Sequence, residues 1–133
     1  MAEKIYILDG VGLPKWNSPI SHAVVVNNMC YVSGQLSIDL NGEYLKGSIE
    51  KETNLAFANF FAALNNSGFN REDVVFIDIA FDNLKDLPRV NKIFMSLFPK
   101  AKRPARTIYQ AEKLPYGGKI KITGTAVKDI VNE

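Results

Sequence analysis

The sequence predicts an α+β fold in which two amphipathic helices cover one face of a mixed sheet. Three observations lead to this prediction: short apolar or β-branched runs bounded by turn residues, two segments with apolar residues at helical spacing, and an order of strands, helix, strand, helix, strands. The 133 residues fit a single domain spanning 1–133, because a chain of this length can bury one core without staples.

The N-terminal part of the chain is predicted to form three strands. A short apolar run at 4–8 ends at the turn signal Asp9-Gly10. Two further runs, at 22–26 and 29–33, flank Asn27-Asn28. Because asparagine tolerates a positive φ, this pair predicts a tight hairpin.

Two segments are predicted to form helices. Ser48 is a candidate N-cap for a helix that reaches about Ser67, where Gly68 can take the left-handed position after the last turn. The second helix is predicted over 87–98. In each segment the apolar residues share one helical face: Ala56, Phe57, Phe60, Phe61 and Leu64 in the first, and Leu87, Val90, Phe94, Leu97 and Phe98 in the second.

The remaining strands are expected at 74–81, 107–109 and 119–127. The last of these alternates apolar with polar residues, which is typical of a strand with one buried face. With only two helices, the chain can cover only one face of its sheet. Because the other face of the sheet would be left uncovered, we expect copies of the subunit to associate through it.

The composition argues against several classes of function. The formal net charge is +2, which is too small and too evenly spread to predict nucleic-acid binding. The chain has one histidine, His22, and one cysteine, Cys30, so a zinc cluster is not expected, and the apolar run around Cys30 predicts a buried thiol. The N-terminus does not follow the pattern of a signal peptide, and no apolar stretch approaches the ~20 residues that span a bilayer. The expected location is the cytoplasm, with no membrane association.

Arg106 is the candidate with the sharpest chemical signal. Strand alternation places its guanidinium beside Ile108, in apolar surroundings where an unpaired charge is costly. Two interpretations fit this position: a structural ion pair with a nearby Asp or Glu, and a bidentate clamp for a ligand carboxylate. The residues alone favour neither.

Three other positions carry weaker signals. Asn91 falls on the core face of the second helix, where its amide either satisfies local backbone groups, which is the favoured interpretation, or helps to shape a site. Gly34, after Ser33, would allow close approach of a ligand, although a bulge or turn is the commoner reason for such a glycine. His22 has no evident partner and is interpreted as structural.

The order and spacing of several motifs resemble the RidA (YjgF) family of reactive intermediate deaminases over about residues 15–128. The matching segments are residues 19–24, residues 31–35, Val90-Asn91, Pro104-Ala105-Arg106 followed by Leu114-Pro115, and Lys119-Ile120. The resemblance implies a chorismate-mutase-like subunit and a homotrimer whose sheets line a central barrel, with clefts between subunits. It implies no metal or organic cofactor.

The resemblance also implies a chemistry and a site. Members of the family hydrolyse 2-imino and enamine acids to 2-keto acids and ammonia. By resemblance, Arg106 binds the carboxylate of a small 2-imino or 2-keto acid, backbone groups at Gly34 and Ile108 contact the same ligand, and Asn91 supports the cleft wall. Ile20 stands where the family commonly has tyrosine.

The last predicted strand departs from the family pattern. Members with strong deaminase activity usually carry acidic residues there, as in Ile-Glu-Ile-Glu, whereas residues 120–123 of this chain read Ile-Lys-Ile-Thr. Thr123 occupies the position at which a glutamate is thought to hold and activate the attacking water. A threonine hydroxyl can orient a water but cannot take up its proton at neutral pH. Glu112, close in sequence to Arg106, is a rival candidate for the base.

Two functions therefore stay open at this stage. One is a deaminase that uses Arg106 and Thr123, and the other is a non-catalytic or weakly catalytic trimer that senses 2-keto acids through the same cleft. A ribonuclease or translation-inhibitor activity is disfavoured, because the sequence has no histidine pair and no aromatic-basic stripe.

Overall fold

A computed structural model describes residues 3–129 as a six-stranded mixed sheet with two α-helices packed on one face. The strands are β1 (Lys4–Ile7), β2 (Ala23–Val26), β3 (Met29–Gln35), β4 (Val74–Phe81), β5 (Ala105–Gln110) and β6 (Ile120–Val127), and the helices are α1 (Ile49–Asn66) and α2 (Leu87–Leu97). The strand order is β1-β2-β3-β6-β4-β5, with β4 and β5 parallel and all other neighbours antiparallel. The predicted α+β class is confirmed.

The predicted elements are present, and the largest difference concerns β5. The sequence predicted residues 107–109, whereas the strand begins at Ala105 and ends at Gln110. Parallel pairing with β4 extends it, since Phe76 lies opposite Ala105 and Ile77 opposite Arg106. Arg106 is therefore held inside a strand of the sheet rather than in the loop before it.

The predicted turns and helix caps are also found. Asn27 has a φ of 54° between β2 and β3, as the asparagine pair suggested. The Ser48 hydroxyl accepts the Lys51 N–H at 3.2 Å and so begins α1. After α1, Gly68 adopts a φ of 82°, a conformation that glycine takes without a Cβ penalty.

The core lies between the helices and the sheet. Phe57 of α1 packs edge-on against Phe94 of α2, with ring centroids 6.2 Å apart, so the two helices share one aromatic cluster. Gly124 of β6 lets α1 approach the sheet closely. A Cβ at this position would lie 2.5 Å from the Phe76 carbonyl oxygen and 3.0 Å from Cζ of Phe60. Because the Phe76 oxygen belongs to the backbone of β4, that Cβ would force β6 and β4 apart, whereas the Phe60 ring would have to move only slightly.

The opposite side of the sheet, which we call the open face, is not covered by either helix. Its side chains alternate with the buried ones and include Tyr31, Phe76, Asp78, Lys121 and Thr123. Loops cover one end of this face, where three loop side chains pack on Ala80: Leu36, Ile38 and Leu114. No helix within residues 3–129 is long and apolar enough to cross a bilayer.

Candidate functional site

Arg106 lies at a pocket between β5 and α2, on the helix side of the sheet. The register that pairs Arg106 with buried Ile77 places both on that face. The pocket measures about 400 Å³ and is lined by Asn91, Phe94, Met95, Arg103, Pro104 and Arg106. We call it the helix-side pocket.

The guanidinium of Arg106 is held by one polar and one aromatic contact. Its Nη1 donates a hydrogen bond to Oδ1 of Asn91 at 2.8 Å. Its Cζ lies 4.7 Å from the centre of the Phe94 ring, within the range of a cation–π contact. Burial lowers the pKa of Arg106, but the group still carries its charge at neutral pH. The side chain is therefore positioned and charged, with a neutral hydrogen-bond partner.

The surroundings of Arg106 bear on the two interpretations that the sequence left open. Three ion-pair contacts occur within residues 3–129, and none includes Arg106. Its remaining N–H groups make no hydrogen bond to any described residue. Asn91 accepts from Arg106 rather than satisfying local backbone groups, so the favoured interpretation of Asn91 was wrong. This arrangement favours a ligand clamp over a structural ion pair.

A second pocket, of about 250 Å³, lies toward the open face near its loop-covered end. Its lining combines apolar and aromatic side chains with one charged group: Trp16, Ser18, Ile20, Gly34, Leu36, Ile38, Pro115, Tyr116 and Lys121. We call it the open-face pocket. It contains two residues named from the sequence, Ile20 and Gly34. The Ile20 side chain is 53% exposed and forms part of the rim.

Gly34 sits in a bulge of β3, the commoner of the two roles expected for it. Val32 pairs with Gly124 and Gln35 with Ile122, so β3 has one residue more than β6 between these pairs. The stem of Lys121 lies across this bulge, since a Cβ on Gly34 would be 2.9 Å from Lys121 Cδ. The glycine therefore admits the lysine side chain into the pocket.

One wall of the open-face pocket is fixed by His22. The Trp16 ring stacks on the imidazole with centroids 3.8 Å apart. The His22 Nε2 lies 2.9 Å from the Pro14 carbonyl oxygen, which can only accept, so Nε2 carries the proton and Nδ1 accepts from the Gln35 amide at 3.4 Å. Burial lowers the pKa of His22, which keeps the ring neutral. The predicted structural role of His22 is confirmed.

The opposite wall is fixed by a buried carboxylate that the sequence analysis did not identify. Glu52 of α1 accepts hydrogen bonds from the Tyr44 hydroxyl, the Gly47 N–H, and both the N–H and Nζ of Lys119. Tyr44 in turn stacks on Tyr116, whose φ of 63° is unusual for a residue with a side chain. Glu52 thus ties three separate segments together behind the pocket.

The pKa values follow from these contacts. Burial alone would raise the pKa of Glu52, but the hydrogen bonds to its oxygens outweigh burial and lower it. Burial and the hydrogen bond to Glu52 raise the pKa of Tyr44 to about 12. Glu52 is therefore ionised and Tyr44 neutral at physiological pH, which suits a structural pair.

Thr123 lies on the open face and does not meet Arg106 within one chain. Strand β4 separates the two, because Asp78 pairs with both Thr107 and Thr123 while Ile77 pairs with Arg106. The Thr123 hydroxyl donates to the Val32 carbonyl at 2.5 Å, next to the bulge. Lys121, two residues earlier on the same face, is the β6 residue that lines the open-face pocket.

Two other residues named from the sequence lie outside both pockets. Ile108 is on β5, which is an edge strand of the described sheet and pairs only with β4, so its outer backbone edge has no strand partner there. Glu112 is exposed in the loop after β5. Neither lines the helix-side or the open-face pocket.

The chain is similar to several known proteins over most of its length. A family model described as endoribonuclease L-PSP matches residues 14–128. The chain is 32% identical to a human 2-iminobutanoate/2-iminopropanoate deaminase, covering 83% of this chain and 80% of that protein. It is also 32% identical to a RutC family protein from Pyrococcus abyssi, covering 87% and 91%. The crystal structure of RidA from an Antarctic Psychrobacter superposes with a TM-score of 0.84 at 28% identity, covering 91% and 98%.

Proposed function

Because the chain belongs to the endoribonuclease L-PSP family, together with the RidA and YjgF proteins, we propose that it hydrolyses reactive 2-imino acids to 2-keto acids and ammonia. The observation that carries the proposal is Arg106: a charged, partly buried guanidinium, held by Asn91 and Phe94, with no carboxylate partner in the described residues. A planar guanidinium binds a carboxylate through two parallel hydrogen bonds.

The reaction needs only water as a second reactant. The substrate carboxylate binds Arg106, which fixes the position of the C=N bond, because the imine carbon is bonded directly to the carboxylate carbon. Water attacks the imine carbon, a proton passes to nitrogen, and the C–N bond of the resulting carbinolamine breaks to give the 2-keto acid and ammonia. A protonated imine is a strong electrophile, so positioning and desolvation supply much of the acceleration.

The proposed site lies between two copies of the subunit. Arg106 is on the helix side, whereas Gly34 and Ile20 line the open-face pocket, and the two pockets share no residue. A ligand that touches Arg106 and Gly34 therefore needs Arg106 from one subunit and Gly34 from another. A homotrimer in which the β5 edge of one subunit lies beside the open face of the next would bring such pairs together. We expect light scattering to give a mass near three times 14.8 kDa, and a monomer would contradict this arrangement.

Thr123 supplies a weaker group than a general base. Because its hydroxyl proton is directed to the Val32 carbonyl, the oxygen presents its lone pairs, which can accept a hydrogen bond from water and orient it. General acid–base help is typically worth ~10²–10⁴-fold, so we expect turnover below that of relatives with an acidic residue here. Replacing Thr123 with glutamate should raise turnover more than it changes affinity for the keto acid. Glu112→Gln should leave the rate unchanged. If this variant loses activity instead, Glu112 is the base.

A second candidate function is a trimer that binds 2-keto acids without turning over imines. The observation in its favour is that neither pocket is lined by a carboxylate of the described chain. An RNA-directed activity has less support, because His22, the one histidine, is buried with both ring nitrogens engaged.

Coupled imine hydrolysis separates the two candidates. An amino-acid oxidase generates a 2-imino acid, and its decay is followed with and without the protein, while calorimetry measures binding of 2-oxobutanoate. Faster decay that scales with protein concentration supports the deaminase. Binding of the keto acid with decay at the buffer rate supports the binding protein and would remove the deaminase assignment.

A further inference from the structure

The charged residues that line the two pockets are all cations. Arg103 and Arg106 line the helix-side pocket, and Lys121 is the one charged residue of the open-face pocket. A 2-imino acid with one carboxylate needs only one cation, which is Arg106. The lining therefore carries more positive charge than a monocarboxylic ligand uses.

Lys121 is placed in the open-face pocket by the backbone around it. Alternation along β6 buries Ile120 and Ile122 under the helices and turns Lys121 to the open face. The bulge glycine Gly34 then receives the lysine stem, with Lys121 Cγ 3.1 Å and Cδ 2.9 Å from where a Cβ would be. A larger residue at 34 would displace this side chain.

The ammonium group of Lys121 is not used elsewhere in the described chain. Among residues 3–129, the one lysine in an ion pair is Lys119, which binds Glu52 at 3.2 Å. Lys121 makes no hydrogen bond or ion pair within residues 3–129, and its pocket neighbours Trp16, Ile20 and Tyr116 offer no anion. A partly desolvated cation without a counter-charge favours binding an anion.

We propose that Lys121 binds a second, distal carboxylate, so that the protein prefers dicarboxylic 2-imino and 2-keto acids to monocarboxylic ones of the same length. The inference rests on the proposed function, because it requires one ligand to contact Arg106 of one subunit and Gly34 of another. Lys121 lies on Gly34, so a ligand that reaches the glycine backbone is within reach of the ammonium group. The apolar side chains of Ile20, Leu36 and Ile38 suit the methylene groups between the two carboxylates.

The test compares two ligands that differ only at the distal end. 2-Oxoglutarate and 2-oxopentanoate have the same five-carbon chain, with a carboxylate in one where the other has a methyl group. Calorimetry on the intact protein measures both dissociation constants for the wild type and for Lys121→Met, which keeps the apolar stem over Gly34. We expect wild type to prefer 2-oxoglutarate by roughly tenfold, as a charge-assisted hydrogen bond provides, and Lys121→Met to bind both ligands equally.

Three further variants make the outcome specific. Lys121→Arg should keep the preference, and Lys113→Met, an exposed lysine outside both pockets, should match wild type while making the same change in net charge. Arg103→Gln should also keep the preference, since the distal group is assigned to Lys121. A preference that survives in Lys121→Met, or that disappears in Arg103→Gln instead, would overturn the assignment.

The fate of the proposed function is read separately from Arg106→Ala. If this variant loses both ligands while Lys121→Met retains a wild-type preference for 2-oxoglutarate, the proposed site stands and only the assignment of the distal carboxylate to Lys121 falls. If wild type binds both ligands with equal affinity, the preference itself is refuted. If neither ligand binds in a manner that depends on Arg106, the proposed function and this inference fail together.

Discussion

Glu52 and Arg106 are two charged side chains set into the same subunit, but their surroundings differ. Glu52 is fully buried, and its two oxygens accept four hydrogen bonds, one of them from a cation. Arg106 is partly buried and makes one hydrogen bond, to the neutral amide of Asn91, with the face of Phe94 as its other contact. The charge of Glu52 is compensated by hydrogen-bond donors of the fold. Arg106 is held in position by Asn91 and Phe94 but has no counter-ion among residues 3–129.

This difference separates a structural charge from a binding charge. A fully buried carboxylate that accepts four hydrogen bonds from its own chain is not available to a ligand, and removing it leaves several donors without partners. Partial burial of a guanidinium costs free energy of solvation. When most of its hydrogen-bond donors remain unpaired, no counter-ion offsets that cost. Polar groups of the chain should therefore divide into those whose loss affects stability and those whose loss affects binding.

The largest stability effect is expected at Glu52. Glu52→Ala should lower the free energy of unfolding by about 3–5 kcal/mol, because it leaves Lys119 and the Gly47 N–H without their buried partner. Urea denaturation measures the change. Glu50→Ala, which removes an exposed carboxylate from the same helical turn, is the control and should cost less than about 1 kcal/mol. Equal losses of unfolding free energy in the two variants would mean that Glu52 is not a structural residue.

A pH dependence is expected from His22, which is neutral in the folded chain. Its pKa is lowered by burial, so the unfolded chain binds the proton more tightly, and stability present above about pH 6.5 is lost as the pH falls below it. Because one proton is involved, the slope cannot exceed about 1.4 kcal/mol per pH unit. Urea midpoints at pH 7 and pH 5 measure it. Because His22 is the one histidine, His22→Gln should flatten the profile in this range, and an unchanged profile would assign it to other groups.

A smaller effect is expected at Thr123. Thr123→Val removes the hydrogen bond to the Val32 carbonyl beside the bulge and should cost about 1 kcal/mol of unfolding free energy. Binding of 2-oxobutanoate should be unchanged, because the keto acid contacts are assigned to Arg106 and Gly34. Thermal denaturation and calorimetry on the same preparation give both values. Lost binding with an unchanged free energy of unfolding would mean that Thr123 contacts the ligand and has no structural role.

The smallest stability effect is expected at Arg106 itself. Arg106→Met replaces the guanidinium beside Phe94 with an apolar group, and relief of the buried charge offsets the lost hydrogen bond to Asn91. We expect the free energy of unfolding to change by less than about 1 kcal/mol in urea denaturation. A loss comparable to that at Glu52 would mean that Arg106 is a structural residue.

The sequence predicted Arg106 but not Glu52, and the reason is physical. Arg106 stands out because a cation in a strand with apolar neighbours breaks the local pattern. Glu52 looks like an ordinary acidic residue in the first turn of a helix. Two of its partners, at 44 and 47, lie in the loop before the helix, but Lys119 comes near only in the tertiary fold. Long-range compensation of a charge leaves no local signal.

The sequence also predicted both helices, the caps of α1 and all six strands, but not how the strands are ordered. Insertion of β6 between β3 and β4 separates Thr123 from Arg106 by the width of β4, and alternation along the strands puts the two side chains on opposite faces. The role of Lys121 depends on the same order, because β6 must pair with β3 for the lysine to cross the Gly34 bulge. Alternation fixed which face each side chain takes, but pairing decided which side chains meet.

The central claim, that Arg106 is a carboxylate clamp, is tested most directly by the rate of imine hydrolysis in an Arg106 series. Wild type should accelerate decay of an oxidase-generated 2-imino acid, Arg106→Lys should retain a weakened effect because an ammonium loses the bidentate geometry, and Arg106→Ala should fall to the buffer rate with its fold intact by circular dichroism. Equal acceleration by wild type and Arg106→Ala would contradict the account.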